Sequence, residues 1–316
     1  MTEVTPWCQG APRRAAVALA AVVFGALVSL TGCADTGGRR SGVVVTTNIL
    51  GDITRNVVGG ETGVTVLMKT DSDPHSFGIS ARQAAQIEDA ALIVYNGLGL
   101  EEGVLRNVQA ARDAGVPTLA VGDGVDPIRY TADDTAGQPD PHFWTDPRRV
   151  SRAVDLIAER VIEEVDGVDA AAIRANAVAY RGKLEELDAW MGKRFEVIPP
   201  DRRSLVTNHH VFGYFAERYD FEVIGAVIPS GTTLASPSAA DLKSLADAIR
   251  RAKVTAVFAD SAQPDRLAQV LASEAGLDVR VIELFSESLS KEGGASTYVE
   301  MMRSNTAAIV DGLGKR

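Results

Sequence analysis

The sequence predicts an α/β protein of two lobes, each a (β/α)4 unit around a parallel sheet, joined by a single long backbone helix. Three observations predict this fold. Short apolar runs alternate with longer amphipathic patterns, a proline-free stretch of helix formers interrupts them, and the alternation then returns. A chain of 316 residues is long enough for two lobes, which we place at 43–168 and 199–316, with the linking helix at 169–198.

Strand and helix patterns alternate four times in the first half. A β-branched run at 43–47 is typical of a buried strand, and Asn48 can cap the helical pattern after it. The predicted strands are 43–47, 64–68, 91–95 and 116–121, and the predicted helices are 49–58, 81–90, 101–114 and 147–165. Because helices separate consecutive strands, we expect the strands to be parallel.

The stretch 169–197 contains no proline, has Gly182 and Gly192 as its weakest helix formers, and is followed by Pro199-Pro200. A helix of this length reaches roughly 40 Å at 1.5 Å per residue. We interpret it as a rigid strut between the lobes; one more long packing helix is the alternative.

The second half repeats the alternation. Ser236-Pro237 is predicted to start a helix, with serine as the N-cap and proline in the first helical position. The predicted strands are 204–207, 222–228, 254–259 and 278–284, and the predicted helices are 211–219, 236–251, 264–275 and 295–313.

The N-terminal segment has the pattern of a secretory signal. Arg13-Arg14 precedes an apolar run at 15–30, which is short for a membrane span. The run ends in Leu30-Thr31-Gly32-Cys33, which resembles the bacterial lipobox. We expect residues 1–32 to be a signal peptide, Cys33 to be lipidated and 33–42 to be a flexible spacer. An uncleaved helical anchor is the alternative.

Composition and charge exclude several classes of partner and site. A net charge of −10 and a pI near 5.0, without a cluster of basic residues, argue against a nucleic-acid partner. Of the two cysteines, Cys8 belongs to the signal peptide and Cys33 to the lipid anchor. A metal site in the folded part must therefore use histidine and carboxylate ligands.

All four histidines follow the carboxyl end of a predicted strand, where ligands bind in open α/β sheets. His75 follows the second strand, and His142 lies after the fourth, in a loop that we expect to be stiffened by Pro141 and Pro147 and to face solvent. His209 and His210 end the first strand of the second half. Scattered core or surface histidines would have no reason to share this position, so we expect a metal site.

The set of ligands leaves two choices open. Adjacent residues of an extended backbone point to opposite sides, so only one of His209 and His210 is expected to bind metal. Glu287, after the last strand, is the candidate fourth ligand, and Asp260 is its competitor. Three imidazoles and one carboxylate suit Zn²⁺, although Mn²⁺ and Fe²⁺ remain possible. Because imidazole ordinarily titrates near pH 6.5, we expect metal retention to weaken below about pH 6.

Several motifs together resemble the zinc/manganese (cluster A) family of ABC-transporter solute-binding lipoproteins, and the resemblance covers, in order, nearly the whole chain expected after cleavage before Cys33. They are Leu30-Thr31-Gly32-Cys33, Asp73-Pro74-His75-Ser76-Phe77, residues 94–101, residues 141–147 and residues 209–214.

The resemblance implies two α/β lobes with a metal between them, delivered to a membrane permease. It implies His75, His142 and His209 as ligands, with Glu287 where the family usually has aspartate. Manganese-type members tend to have glutamate at the third position, so His209 favours zinc. The histidine-rich loop of many zinc members is absent, and the loop holds only Asp133, Asp134 and Asp140, which either attract metal weakly or are solvated.

The leading hypothesis is an extracytoplasmic, lipid-anchored, monomeric binding protein for Zn²⁺. A different class, a zinc hydrolase with three histidine ligands, would use Glu287 as a base. Against it, the sequence has no His-Glu-x-x-His motif, and four protein ligands leave no open position. A third possibility is a surface adhesin or structural lipoprotein, which predicts no metal dependence.

Overall fold

The computed structural model of the protein describes residue 40 and residues 42–131, 135–276 and 279–314. The predicted signal peptide, Cys33 and most of the predicted spacer lie outside these residues, as do Asp133 and Asp134. Within the described residues, no helix combines the length and the apolar character that crossing a bilayer requires.

The first lobe contains, within its described residues, a parallel sheet of four strands in the order β2-β1-β3-β4. Val43 and Val45 of β1 belong to one apolar cluster and Val44 to another, so both faces of the strand are buried under helices. The strands are β1 (Val43–Val45), β2 (Val64–Val66), β3 (Leu92–Tyr95) and β4 (Thr118–Ala120). The helices are α1 (Asn48–Val58), α2 (Ala81–Glu88), α3 (Leu105–Asp113), α4 (Val121–Gly124) and α5 (Pro147–Glu164).

Helix α6 (Ala170–Phe195) links the lobes. The Asp169 side chain accepts hydrogen bonds from the Ala171 and Ala172 backbone N–H groups, which caps its first turn. With 26 residues it spans about 39 Å. Its buried apolar side chains, including Leu184, belong to an apolar core that also contains residues of both lobes. The helix therefore packs against the lobes as well as connecting them.

The described part of the second lobe has a parallel sheet in the order β6-β5-β7-β8, which repeats the order of the first sheet. Its strands are β5 (Ser204–Thr207), β6 (Glu222–Ala226), β7 (Ala256–Asp260) and β8 (Arg280–Leu284), and its helices are α7 (Gly213–Tyr219), α8 (Ala239–Ala252), α9 (Arg266–Ala275) and α10 (Tyr298–Leu313). The predicted α/β fold of two parallel-sheet lobes is confirmed.

Two predicted N-cap residues are wrong. Helix α8 is capped by Ser238 and not by Ser236, because Ser238 and Asp241 form a capping box in which each side chain accepts a hydrogen bond from the other's backbone N–H. Three residues after Ser236 stands an alanine, which cannot return this bond. Helix α1 is capped by Thr47, and Asn48 is its first residue.

Candidate metal centre

The four predicted ligands lie together between the lobes. His75 is in the loop after β2, and His142 immediately precedes a 3-10 turn, Phe143–Thr145, in the loop that leads to α5. His209 follows β5, and Glu287 follows β8. One donor atom of each lies within 4.8 Å of those of the other three. Each residue is at most 2% exposed, so the expectation that the His142 loop faces solvent is wrong: the second lobe covers it.

The histidines point their Nε2 atoms at one another. The Nε2 atom of His142 lies 3.4 Å from that of His75 and 3.3 Å from that of His209. Four donors placed tetrahedrally at 2.0 to 2.1 Å from a zinc ion are separated from one another by about 3.3 to 3.4 Å. The observed spacing of the nitrogen atoms is therefore that of ligands around one small cation.

Glu287 completes the arrangement from the second lobe. Its Oε1 atom lies 3.4 Å from Nε2 of His209 and 3.6 Å from Nε2 of His142, and its Oε2 atom lies 3.6 Å from Nε2 of His75. Both oxygens are buried without a hydrogen-bond donor among the described residues. A buried carboxylate is costly unless something compensates it, and a cation between it and the imidazoles would do so.

The sequence Asp-Pro-His occurs twice, and in both places its histidine belongs to the converging group. The backbone N–H groups of His75 and His142 donate to Oδ1 of Asp73 and Asp140 respectively, each over 2.9 Å. These are turns closed by an aspartate side chain, with the intervening proline restricting the backbone. The repeated tripeptide is a signal in the sequence that marks these aspartates as supporting residues.

Asp140 also holds the ring of His142. Its Oδ1 atom lies 2.7 Å from Nδ1, and the hydroxyl of Tyr130 lies 3.2 Å from the same nitrogen. A carboxylate at Nδ1 favours the proton on that atom and leaves the lone pair of Nε2 directed at the other ligands. Asp140 is 1% exposed, so it is not the solvated loop acid that was one of the two expectations for it.

A second network anchors the backbone beside His142. Glu101 is buried and accepts hydrogen bonds from the Thr46 hydroxyl at 2.7 Å and from the backbone N–H groups of Asn96 and Gly97 at 2.6 and 3.1 Å. The Asn96 side chain in turn donates to the carbonyl of Pro141 over 2.9 Å. The motif at 94–101 therefore supports the loop that carries His142.

Burial sets the protonation of the ligands. It lowers the pKa values of all three imidazoles below their ordinary value, and neighbouring histidines lower those of His75 and His142 further. Burial also raises the pKa of Glu287 well above its ordinary value, with a further contribution from nearby aspartates. Each imidazole therefore has a pKa below the ordinary value near 6.5 on which the expected weakening of metal retention below about pH 6 was based.

The two alternative ligands lie outside the converging group. His210 is partly buried, and its ring packs near that of Tyr130, with 6.4 Å between the centroids. Asp260 is buried and accepts hydrogen bonds from the hydroxyl and backbone N–H of Ser286. Asp260 thus holds the loop that carries Glu287, and the geometry brings Glu287 to the three histidines.

Hydrogen bonds across the cleft were not foreseen from the sequence. The Asn48 side chain donates to Ser288 Oγ over 2.8 Å and accepts from the Leu289 N–H over 2.9 Å. The Trp144 indole donates to the Ser286 carbonyl over 2.8 Å. These bonds fix the loop around Glu287 against the first lobe.

Two parallel-sheet lobes on a linking helix, with four buried donors converging between them, define a metal-binding protein. A family model described as zinc-uptake complex component A, periplasmic, matches residues 43–312, and the chain belongs to that family. It is a metal-binding solute-binding protein of the ABC-transporter type and not an enzyme.

Relatives with different metals in their names are about equally similar. The manganese-binding lipoprotein MntA of Halalkalibacterium halodurans is 28% identical over 93% of this chain and 97% of its own. The iron-binding protein YfeA of Yersinia pestis is 28% identical over 96% and 97%. Among solved structures, the periplasmic zinc-binding protein TroA from Treponema pallidum superposes with a TM-score of 0.80 at 30% identity, covering 87% of this chain and all of its own.

Proposed function

We propose that the protein captures Zn²⁺ outside the cytoplasm, through His75, His142, His209 and Glu287, and delivers it to an ABC-transporter permease. The observation that carries this proposal is that Nε2 of His142 lies 3.4 Å from Nε2 of His75 and 3.3 Å from Nε2 of His209, which matches the edge of a zinc-centred tetrahedron.

The chemistry of the donors supports zinc among the metals named for relatives. Three neutral nitrogen ligands and one carboxylate suit a borderline-soft ion that accepts a closed, four-coordinate site. Burial of the imidazoles supports the same reading, since they need no deprotonation before they bind. Four protein ligands also leave no position for a reactive water, in keeping with a carrier.

Manganese is the second candidate, and one observation favours it. Both oxygens of Glu287 face imidazole nitrogens at 3.4 to 3.6 Å, so a larger ion could take the carboxylate as a bidentate ligand. An additional oxygen ligand suits Mn²⁺ better than Zn²⁺.

The N-terminal segment supports a proposal about where the protein is located in the cell. We propose lipidation of Cys33, with the two lobes held outside the membrane by the short spacer and acting as a monomer. The lipobox-like sequence before Cys33 and the naming of MntA as a lipoprotein support this. Replacement of Cys33 by alanine is expected to release the protein from the membrane fraction.

Metal analysis tests the proposal most directly. Protein purified from its own cells under limiting metal is expected to hold close to one equivalent of zinc, and competition against a chelator of known affinity is expected to rank Zn²⁺ above Mn²⁺. Protein that holds manganese instead would establish the second candidate. Protein that retains no metal and gains none on titration would overturn both.

A further inference from the structure

Asp73 is a buried carboxylate outside the proposed set of ligands, and it contacts both lobes. Its Oδ1 atom accepts the His75 backbone N–H. Its Oδ2 atom accepts a hydrogen bond from Ser76 Oγ in the same lobe at 2.9 Å, and two from the opposite lobe. The opposite donors are Thr233 Oγ1 at 2.6 Å and Gln263 Nε2 at 2.9 Å. One carboxylate therefore joins a ligand-bearing turn to the opposite side of the cleft.

The two Asp-Pro-His turns use their carboxylates differently. Asp140 directs Oδ1 at both the backbone N–H and the ring nitrogen of His142, so it orients an imidazole. Asp73 fixes only the backbone of His75 and presents its other oxygen to Thr233 and Gln263. Orienting a ligand does not require these bonds to the second lobe, so they point to a different role.

The loop that contains Thr233 also contacts the first lobe near His142. The hydroxyl of Tyr130 lies 3.4 Å from the Gly231 carbonyl and 3.2 Å from Nδ1 of His142. Residues 231–233 thus meet the first lobe beside both of its histidines. Moving this loop away from the first lobe would break the bond from Thr233 to Asp73 at the same time.

We propose that Asp73 is an interlobe latch, which keeps the cleft closed over the bound metal through Thr233 and Gln263 and so slows metal release. This inference rests on the proposed function. Bonds that exist only when the cleft is closed do not assist a metal that enters an open cleft. The latch therefore acts on the dissociation rate and leaves the association rate unchanged.

Stopped-flow release of Zn²⁺ from the loaded protein into excess chelator tests the latch. In the double variant Thr233→Val and Gln263→Leu, both interlobe donors are lost while side-chain size is nearly kept. We expect about tenfold faster release, as for the loss of hydrogen bonds to a charged group, with the association rate unchanged. Asp73→Asn is expected to accelerate release at least as much, because an amide cannot accept all of these donors.

Ser76→Ala is the matched control. It removes a donor to the same oxygen from within the first lobe and is expected to release zinc at the wild-type rate. Wild-type release in the double variant would overturn the latch, and so would equal acceleration by Ser76→Ala or a change confined to association. A wild-type protein that binds no zinc would instead overturn the proposed function, so the two failures are distinguishable.

Discussion

Asp140 orients the imidazole of His142 and is not itself one of the four converging donors. Because its carboxylate lies 2.7 Å from Nδ1 of His142, the imidazole is held with Nε2 toward the other ligands. Asp140→Asn keeps the shape and removes the charge, and we expect zinc affinity to fall about tenfold. Competition titration measures the change. Asp113→Asn, at an exposed helix end, is the control, and equal affinity in both variants would contradict the role of Asp140.

Glu287 is the proposed ligand that the sequence left in competition with Asp260. If its carboxylate binds the metal, Glu287→Ala should reduce zinc affinity by more than the roughly hundredfold that supporting residues can cost. Glu283→Ala removes an exposed glutamate from the same segment of chain and should leave the affinity unchanged. A Glu287→Ala protein with wild-type affinity would remove this residue from the site.

The residues of the candidate site were predictable where position in the fold selects them. His75, His142 and His209 follow strand ends, and parallel strands bring those ends to one edge of a sheet. The choice of Glu287 over Asp260 was not predictable, because both residues follow strands. Only the structure shows that the Asp260 carboxylate accepts a hydrogen bond from Ser286 and lies outside the converging group. The depth of burial was not predictable either, since it depends on how closely the second lobe covers the first.

At the scale of elements, the start of helix α8 depended on a capping box whose sequence signature, Ser238 followed by Asp241 three residues later, outweighs the Ser-Pro pair. Ser236-Pro237 has the composition of a helix start, but Ser238 forms the capping box with Asp241. Parallel strands and lobe repetition were predictable from the alternation of patterns, whereas the strand order was not predicted and the boundaries shifted by a few residues. Thr47 and Asn48 show why the boundaries shifted. Thr47 caps helix α1, and the Asn48 side chain forms hydrogen bonds across the cleft instead of capping the helix.

The two serines before helix α8 allow a direct measurement. Ser238→Ala removes the acceptor for the Asp241 N–H, so we expect the free energy of unfolding to fall by about 1 kcal/mol. Ser236→Ala is expected to have no effect in the same urea titration. The reverse order of effects would mean that the helix begins where the sequence motif indicated.

At the scale of the whole molecule, Asp188 ties helix α6 to both lobes. It accepts hydrogen bonds from Arg148 in the first lobe, at 3.1 Å, and from Arg218 and Tyr219 in the second, at 2.6 and 2.9 Å. Burial acts to raise its pKa, but these bonds outweigh burial and leave the pKa below its ordinary value. Its contribution to stability is therefore present above its unfolded-state pKa, about 3.9, and is lost as pH falls through the lower folded-state value.

Asp188→Asn is accordingly expected to lower the free energy of unfolding of the metal-free protein by about 2 kcal/mol at pH 7. The difference from the unsubstituted protein is expected to become smaller below about pH 4. Urea unfolding across that pH range measures it. Asp247→Asn, which removes an exposed partner of Lys243 and Arg250, is expected to cost much less. If Asp188→Asn lowered the free energy of unfolding by the same amount at every pH, the charge of Asp188 would not be what stabilises the fold.

Zinc should stabilise the whole fold, because the ligands are brought together only in the folded chain. At a free concentration a thousand times the dissociation constant, binding adds about 4 kcal/mol. For a protein of this size we expect a rise in Tm on the order of 10 °C. Scanning calorimetry with and without zinc measures the shift, magnesium is the control, and an unchanged Tm would contradict the site.

The donors are divided equally, with His75 and His142 on the first lobe and His209 and Glu287 on the second. Each lobe alone offers a two-point chelate, which is a weak binder. With the proposed ligands, affinity would depend on the effective concentration at which one pair of donors faces the other, and that is set by helix α6 and the shared apolar core. A permease would then not have to break four metal–ligand bonds at once. It would only have to separate the lobes slightly, because separation lowers the effective concentration of one pair of ligands at the other.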